Sequence, residues 1–453
     1  MNIIIVGSGK VGSYLAECLL ADQHDIVVIE KDEEVAKNIS DTADVMCVVG
    51  NGACSTVLEE ANVSRADILI AVTSSDELNI LCCYIAKTMG AKYTVARVRE
   101  TDYFRDVKAL RKKLHLDMII NPEHTTAVEL SRLIRFPEAI DIKPFYRNRV
   151  ELVGFRVEKN DFLVGMSVMD AAKKLSGLRL LFSIVQRGDK AYIPKGDFVI
   201  EVGDKLHVIA EIDMINAFFR KLGRGIQPLR DIMIIGGGKI TSYLGDILSK
   251  TRINIKVIEV DRNRCIALSN QLSKAMVICG DGTNQRLLLN EHIDSADAFI
   301  ALTNRDEDNL ITALYAQQCG VPKVFVKNGH QNYSGVVTRL GIDNTVSPKL
   351  ITAESILRRV RAMQDSYDSE MVALYKIADE SGEALEFVIS PQTDHLGEPL
   401  KDIPFHPGIQ VAVIIRGGEI IIPGGNDVIL EGDNVIIIAA GRSIITFNDI
   451  YAH

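Results

Sequence analysis

The feature that most constrains this chain is a long internal duplication. Ile3-Ile4-Ile5-Val6-Gly7-Ser8-Gly9-Lys10-Val11-Gly12 returns as Ile232-Met233-Ile234-Ile235-Gly236-Gly237-Gly238-Lys239-Ile240-Thr241, an offset of 236 − 7 = 229. Val28–Asp32 returns as Val257–Asp261 at the same offset. Val49-Gly50-Asn51-Gly52 matches Cys279-Gly280-Asp281-Gly282, and Ala71–Asn79 matches Ala301–Asn309, both at 230. Asn121-Pro122 matches Ser347-Pro348 at 226. A period this long is far beyond a solenoid repeat, so whole domains are duplicated, with small loop insertions.

Each half divides again. Up to about residue 136, apolar runs alternate with helical spacing. Strands are expected at Asn2–Val6, Asp25–Glu30, Val45–Val49, Asp67–Val72 and Tyr93–Val98, with helices at Lys10–Ala21, Glu33–Ser40, Cys54–Ala61 and Glu77–Met89. Near-continuous apolar strands separated by helices predict a doubly wound, Rossmann-like parallel sheet covered on both faces. Beyond Arg135-Phe136-Pro137 the strands become short and alternating: Glu151–Val157, Leu180–Val185, Ala191–Ile193 and Lys205–Ala210. This predicts a small α+β domain, which also recurs, because Arg187…Pro194…Gly203-Asp204 matches Arg416…Pro423…Gly432-Asp433 at 229. Four domains are expected, at 1–136, 137–224, 225–365 and 366–453. The linker Leu222–Pro228 joins the halves.

The glycine loops point to a ligand. Gly7, Gly9 and Gly12 follow an apolar strand and open a helix, the context a dinucleotide motif requires. Gly7 permits the turn, Gly9 admits a pyrophosphate to the backbone, and Gly12 lets the helix pack on the strand. Phosphates would sit on the N–H groups contributed around Ser8, Lys10 and Val11. Glu30 lies 30 − 9 = 21 residues past the middle glycine, the expected place for a carboxylate on ribose hydroxyls, and it disfavours a 2′-phosphate. Asn51, Thr73 and Ser74 follow the next two strands at the same sheet edge. Arg97, at the end of the fifth, would add positive charge for a terminal phosphate. In the second half the equivalents are Gly236, Gly237, Gly238, Lys239, Ile240, Glu259, Gly280, Asp281, Thr303 and Lys327. There Thr241 replaces the third glycine, and its β-branch is expected to push the helix off the strand.

Other chemistries find little support. The net charge, 51 − 60 = −9, argues against broad nucleic-acid binding. No window approaches the ~20 apolar residues that span a bilayer. The N-terminus lacks signal-peptide character, so a cytoplasmic location and no direct membrane insertion are expected. Eight cysteines without a CxxC pair read as reduced thiols, and nine scattered histidines give no metal-binding spacing. Tyr84-Ile85-Ala86-Lys87 spells the YxxxK pair of short-chain dehydrogenases, but the repeat carries Leu314 in place of the tyrosine. An NAD-dependent oxidoreductase is the alternative reading. An ATPase lacks its GxxxxGK[ST] loop.

The domain order, with Gly7–Gly12, Val27–Asp32, Val48–Gly52, Ala71–Asn79 and Val95–Arg99, resembles the TrkA family over essentially the whole chain. These are the tandem RCK (regulator of potassium conductance) subunits of bacterial Trk potassium uptake systems. The resemblance implies RCK-N and RCK-C domains in alternation and a non-enzymatic subunit binding NAD(H), with ATP or ADP as further ligands. It implies a partner, a membrane potassium channel of the TrkH or TrkG type, which places the subunit on the inner face of the cell membrane. It also implies a homotetramer and, in some relatives, an RCK-C effector site such as one for cyclic di-AMP.

Overall fold

The computed structural model describes all residues except 43–44, 101–102, 104–105, 189, 225–228, 330–339, 343, 365–368, 379–380 and 453. The end of the expected linker, Asp189 of an expected turn, His330 and His453 lie outside the described residues. The chain forms two compact units that are not consecutive in sequence. One comprises Met1–Ser131 and Arg230–Leu357, the other Arg132–Leu229 and Arg358–His453. Like domains therefore group with like.

The first unit holds two six-stranded parallel sheets. Strands β1 (Asn2–Val6), β2 (Asp25–Glu30), β3 (Met46–Val49), β4 (Ile68–Ala71), β5 (Tyr93–Arg97) and β6 (Met118–Ile120) lie in the order β3-β2-β1-β4-β5-β6. Its partner sheet has β12 (Asp231–Ile235), β13 (Asn254–Glu259), β14 (Ala275–Cys279), β15 (Ala298–Ala301), β16 (Lys323–Lys327) and β17 (Asn344–Val346) in the order β14-β13-β12-β15-β16-β17. Ile3–Val6 and Ile68–Ala71 are buried throughout, because helices cover both faces of a parallel sheet. Each such aliphatic side chain contributes roughly 1.5–3 kcal/mol on burial. The expected strands and helices match within two residues at each end. The sixth strand was not expected in either half. It has three residues in each sheet, too few to show a period in sequence.

The second unit holds two antiparallel five-stranded sheets. In the first, β7 (Asp141–Phe145), β8 (Val150–Arg156), β9 (Leu180–Arg187), β10 (Lys190–Tyr192) and β11 (Lys205–Glu211) run β10-β9-β11-β8-β7. In the second, β18 (Ser369–Ile377), β19 (Gly382–Ile389), β20 (Ile409–Arg416), β21 (Glu419–Ile421) and β22 (Asn434–Ala440) repeat that topology. One core serves both sheets, joining Phe145, Leu152 and Ile184 to Ala384, Val413 and Ile436. The repeated Arg…Gly-Asp signature is a two-pronged ion pair. Arg187 donates to both Asp204 oxygens at 2.8 Å, and Arg416 to both Asp433 oxygens at 2.9 and 2.7 Å. The glycine before each aspartate has a positive φ, 91° and 82°, which favours glycine there.

Asp141 of β7 pairs with the buried His207 ring at 3.3 Å and accepts from Gly154 N at 3.1 Å. Burial pushes its carboxyl up, but His207, with Lys143 and Lys205, outweighs this and holds it at about 2. An unfolded aspartate titrates near ~4. The stability Asp141 supplies is therefore complete above pH ~4 and is lost as pH falls toward about 2. The unfolding free energy from urea titrations, followed from pH ~5 downward, should fall by an amount on the order of 2 kcal/mol. Asp141→Asn should remove that portion of the slope, and an unchanged slope would refute the assignment.

Candidate functional site

The two glycine loops have the same backbone. Gly7 and Gly236 have φ of 96° and 90°. Gly9 and Gly238, the helix N-caps, are extended at −65°/−174° and −68°/−178°. A Cβ at Gly9 or Gly238 would meet nothing within 4 Å, so both loop apices face open space. The first helical turn, whose backbone N–H groups find no acceptor within the helix itself, borders that space, a setting that fits a pyrophosphate. Val11 and Ile240 are buried, so they can offer a ligand only their backbone.

At Gly12, a Cβ would lie 2.0 Å from the Gly7 carbonyl oxygen. The second half puts Thr241 at this point, and the loop keeps the backbone dihedrals of the first half. Thr241 is fully buried and its hydroxyl donates to that same carbonyl, Gly236 O, at 2.5 Å. A hydrogen bond thus replaces the close backbone approach.

The strand-end carboxylates differ between the halves. Glu30 Oε2 accepts from Ser8 N at 2.9 Å and Ser8 Oγ at 2.7 Å, and Oε1 accepts from Lys31 N and Asp32 N at 2.8 and 3.2 Å. Burial raises its pKa, but these donors, Ser8 first, bring it below the usual carboxylate range. Glu259 accepts from Gly237 N at 2.5 Å and from Asp261 N at 2.8 Å. Gly237 has no hydroxyl to compete, so Glu259 keeps more acceptor capacity than Glu30. Asn51 Oδ1 accepts from Ala53 N at 3.0 Å, and Asp281 Oδ1 accepts from Thr283 N and Oγ1 at 2.9 and 2.8 Å. Both side chains shape the loop after the third strand, and Thr283 lowers the Asp281 pKa. Gly280 N extends the ladder to Glu259 O at 2.8 Å.

Thr73 and Thr303 are held by residues the sequence reading passed over. Asn79 Oδ1 accepts from Thr73 N at 2.8 Å and Oγ1 at 2.7 Å, while its Nδ2 donates to Thr73 O at 3.2 Å and Arg97 O at 2.9 Å. Asn309 does the same for Thr303 and Lys327 O. Their signal was the 230-residue recurrence of the Thr…Asn run. Asn79 is fully buried. Removing its amide strands several buried partners at about 1–3 kcal/mol each. Asn79→Ala should cost roughly 2–4 kcal/mol, with Asn309→Ala close to it by the repeat. Thermal unfolding within experimental error of the parent would contradict this.

Arg97, expected to add positive charge in the crevice, is held by a backbone carbonyl at that sheet edge. Its guanidinium donates to Thr73 O at 2.5 Å, and Arg99 donates to Ser74 O. Burial, then the neighbouring Arg99, lower the Arg97 pKa. Burial likewise lowers Lys327, at the equivalent strand end, with Asp306 and Glu123 opposing. Burial raises Glu123, against Arg99, Arg97 and Lys239. Arg97, Lys327 and Glu123 therefore share one charge cluster between the two parallel-sheet domains.

The loop lysines cross to the opposite domain. Lys239 pairs with Glu100, and Lys10 lies 3.9 Å from Asp306. Four residues along each helix a tyrosine makes a matching contact. Tyr243 Oη accepts from Asn121 Nδ2 at 2.9 Å, donates to Arg99 O at 3.3 Å and meets His124 edge-on at 5.3 Å. Lys349 lies over the Tyr14 ring at 4.5 Å. The acids at the site are fixed by backbone: Asp76 Oδ2 accepts from Arg99 N and Glu100 N at 2.7 and 2.8 Å, and Asp306 Oδ2 from Gly329 N at 3.1 Å.

The YxxxK pair lies elsewhere. Lys87 bonds Asp117 Oδ2 and Lys92 O, each at 2.7 Å. Asp117 immediately precedes β6, at the sheet end opposite the glycine loop. Among the described residues no His, Cys, Asp and Glu group suits a metal ion, and no helix is long and apolar enough to cross a membrane.

The TrkA-N domain matches residues 3–122 and 232–348, and the TrkA-C domain matches 152–223 and 384–451. This chain belongs to the TrkA family. The chain is 33% identical over 433 residues to the "Trk system potassium uptake protein TrkA homolog 1" of Methanosarcina mazei, covering 93% of this chain and 94% of the relative. It is 32% identical over 428 residues to the Trk system potassium uptake protein TrkA of Vibrio alginolyticus, covering 93% and 92%. The fold resembles a structure described as the GsuK channel bound to NAD. The TM-score is 0.64 at 18% identity, over 97% of this chain and 76% of that one. For the GsuK RCK domain it is 0.63 at 17%, over 97% and 92%. The TrkA family relationship and the two Rossmann-like sheets, each with an antiparallel-sheet domain after it, agree with the sequence reading.

Proposed function

We propose that this TrkA-family chain is a nucleotide-sensing regulatory subunit that controls a membrane potassium channel of the TrkH or TrkG type. NAD(H) and ATP or ADP would bind at both glycine loops. The domains would run 1–136, 137–224, 225–365 and 366–453, with copies forming a homotetramer in the cytoplasm at the inner face of the membrane. One arrangement supports this above all. Each loop lysine pairs with an acid on the opposite parallel-sheet domain, Lys10 with Asp306 and Lys239 with Glu100. A polyanion arriving at either loop competes for that lysine, so its binding energy also weights the contact between the domains. The relatives named as potassium uptake proteins, and the NAD-bound channel of similar fold, point the same way.

The test is calorimetric titration of NAD, NADH, ATP and ADP into the parent and into Lys10→Gln with Lys239→Gln, beside potassium flux through a co-reconstituted channel. Exposed ion pairs are worth ~0–1 kcal/mol. The variants should thus bind within several-fold of the parent, while the flux difference between nucleotides shrinks. Flux that ignores nucleotide in the parent would sink the proposal. An NAD-dependent oxidoreductase would instead consume NADH with a carbonyl acceptor. The position of Lys87 argues against this, and the same preparations should show no turnover.

A further inference from the structure

Two cysteines meet beside the second glycine loop. Cys279 ends β14, opposite Glu259 in the parallel register, and is exposed. Cys265 lies in the first turn of the helix Arg262–Gln271 and is buried. Cys265 Sγ donates to Glu259 O at 3.2 Å and Cys279 Sγ lies 3.9 Å from Val260 O, so both thiols sit on successive carbonyls at the end of β13. The first half has Ala36 and Val49 at these positions (265 − 229 and 279 − 230), so the pair belongs to the second half alone.

We propose that Cys265 and Cys279 form an oxidative modification site, closed to a disulfide by peroxide, that selectively weakens nucleotide binding at the second glycine loop. The exposed Cys279 is the attacking group. Burial, then the Cys279 thiol, push Cys265 up to about 11, which makes it a poor first nucleophile. The Cys279 thiolate attacks one peroxide oxygen. The S–O bond forms, the O–O bond breaks, and hydroxide leaves to become water. Cys265 then attacks the Cys279 sulfenic sulfur, so that S–S forms and S–O breaks. The departing hydroxide takes the Cys265 proton as a second water. Two thiols are oxidised and one peroxide is reduced to two waters.

The bond reaches the loop through the adjacent residue. Arg264 Nε donates to Gly237 O at 2.6 Å, its N–H is capped by Asp261 Oδ1 at 2.8 Å, and Gly237 N donates to Glu259. The helix start, the loop and the carboxylate therefore form one hydrogen-bonded ring. A disulfide of ~2.05 Å draws the Cys265 turn toward β14 and away from Gly237. Losing one charge-assisted bond at the loop corresponds to about a tenfold loss of affinity.

This effect rests on the second loop binding nucleotide, as proposed above. The full chain is treated with hydrogen peroxide, digested without reductant and mapped by mass spectrometry. ADP is titrated before and after oxidation on a Glu30→Gln background that weakens the first loop. The expected result is a Cys265–Cys279 peptide before any other disulfide, with second-loop affinity about tenfold weaker and restored by dithiothreitol. Cys279→Val, the first-half residue, should bind normally and ignore peroxide. A different cysteine pair, or Cys279 driven to sulfinic acid with Cys265 free, would overturn the site. A mapped disulfide with unchanged affinity would overturn its coupling to the loop. If the reduced protein binds no ADP at the second loop, the nucleotide reading fails, while the peptide map still decides the disulfide.

Discussion

Glu30→Ala is expected to weaken nucleotide binding at the first loop by roughly ten- to a hundredfold. The carboxylate is ionised at neutral pH, since its donors hold its pKa below the usual range. Its four acceptor positions are matched by Ser8 N, Ser8 Oγ, Lys31 N and Asp32 N. The Ser8 hydroxyl is the one donor that can rotate away when a ribose hydroxyl arrives. Alanine therefore removes the ligand's acceptor and also releases the Ser8 end of the glycine loop. Glu30→Gln separates these effects, because it keeps an acceptor for Ser8 while losing the charge. Ser8→Gly, which copies the second half, should leave affinity unchanged or raise it. Calorimetry giving equal constants for the parent and Glu30→Ala would remove Glu30 from the site.

Arg361→Ala should destabilise the unit containing the antiparallel sheets by about 3–5 kcal/mol. Arg361 and Glu383 are each 2% exposed. The guanidinium donates to both Glu383 oxygens at 3.2 Å and to Ile444 O at 3.3 Å. Glu383 also accepts from Lys376 at 2.6 Å, Ser443 Oγ at 3.0 Å and Ile444 N at 3.1 Å. Burial raises the Glu383 pKa, but Arg361 and then Lys376 bring it below its ordinary value. The stability it supplies is thus present above the ordinary carboxylate range and disappears as pH falls through the lowered value. Removing the arginine leaves the carboxylate buried with fewer partners, the costly half of a broken pair. Arg361→Met combined with Glu383→Leu should recover most of the loss. Calorimetric unfolding shows the outcome, and a single-variant loss under about 1 kcal/mol would contradict the assignment.

Sequence alone established whatever is set by neighbours along the chain. Gly7 and Gly236 need positive φ, and that demand falls on the residues of the turn itself. The buried runs Ile3–Val6 and Ile68–Ala71 announce strands covered on both faces. Glu30 and Glu259 follow because strand length sets where the second strand ends. The duplication was legible because its pattern recurs at a nearly constant offset. The reasoning at Thr241 stopped short, since β-branching is local but the carbonyl its hydroxyl bonds became its partner only when the loop closed.

Tertiary structure alone decided which distant groups meet. Arg97 carries charge at the right strand end, yet the Thr73 carbonyl, 24 residues away, takes its guanidinium. Asn79 was visible as part of a repeated run, but its role depends on strands β4 and β5 lying side by side. Lys10 finds Asp306 and Lys239 finds Glu100 across 296 and 139 residues, a pairing set by domain packing. A backbone preference acts within a few residues and leaves a mark there. A charge–charge contact acts through space, so its partner is known only when the chain has folded.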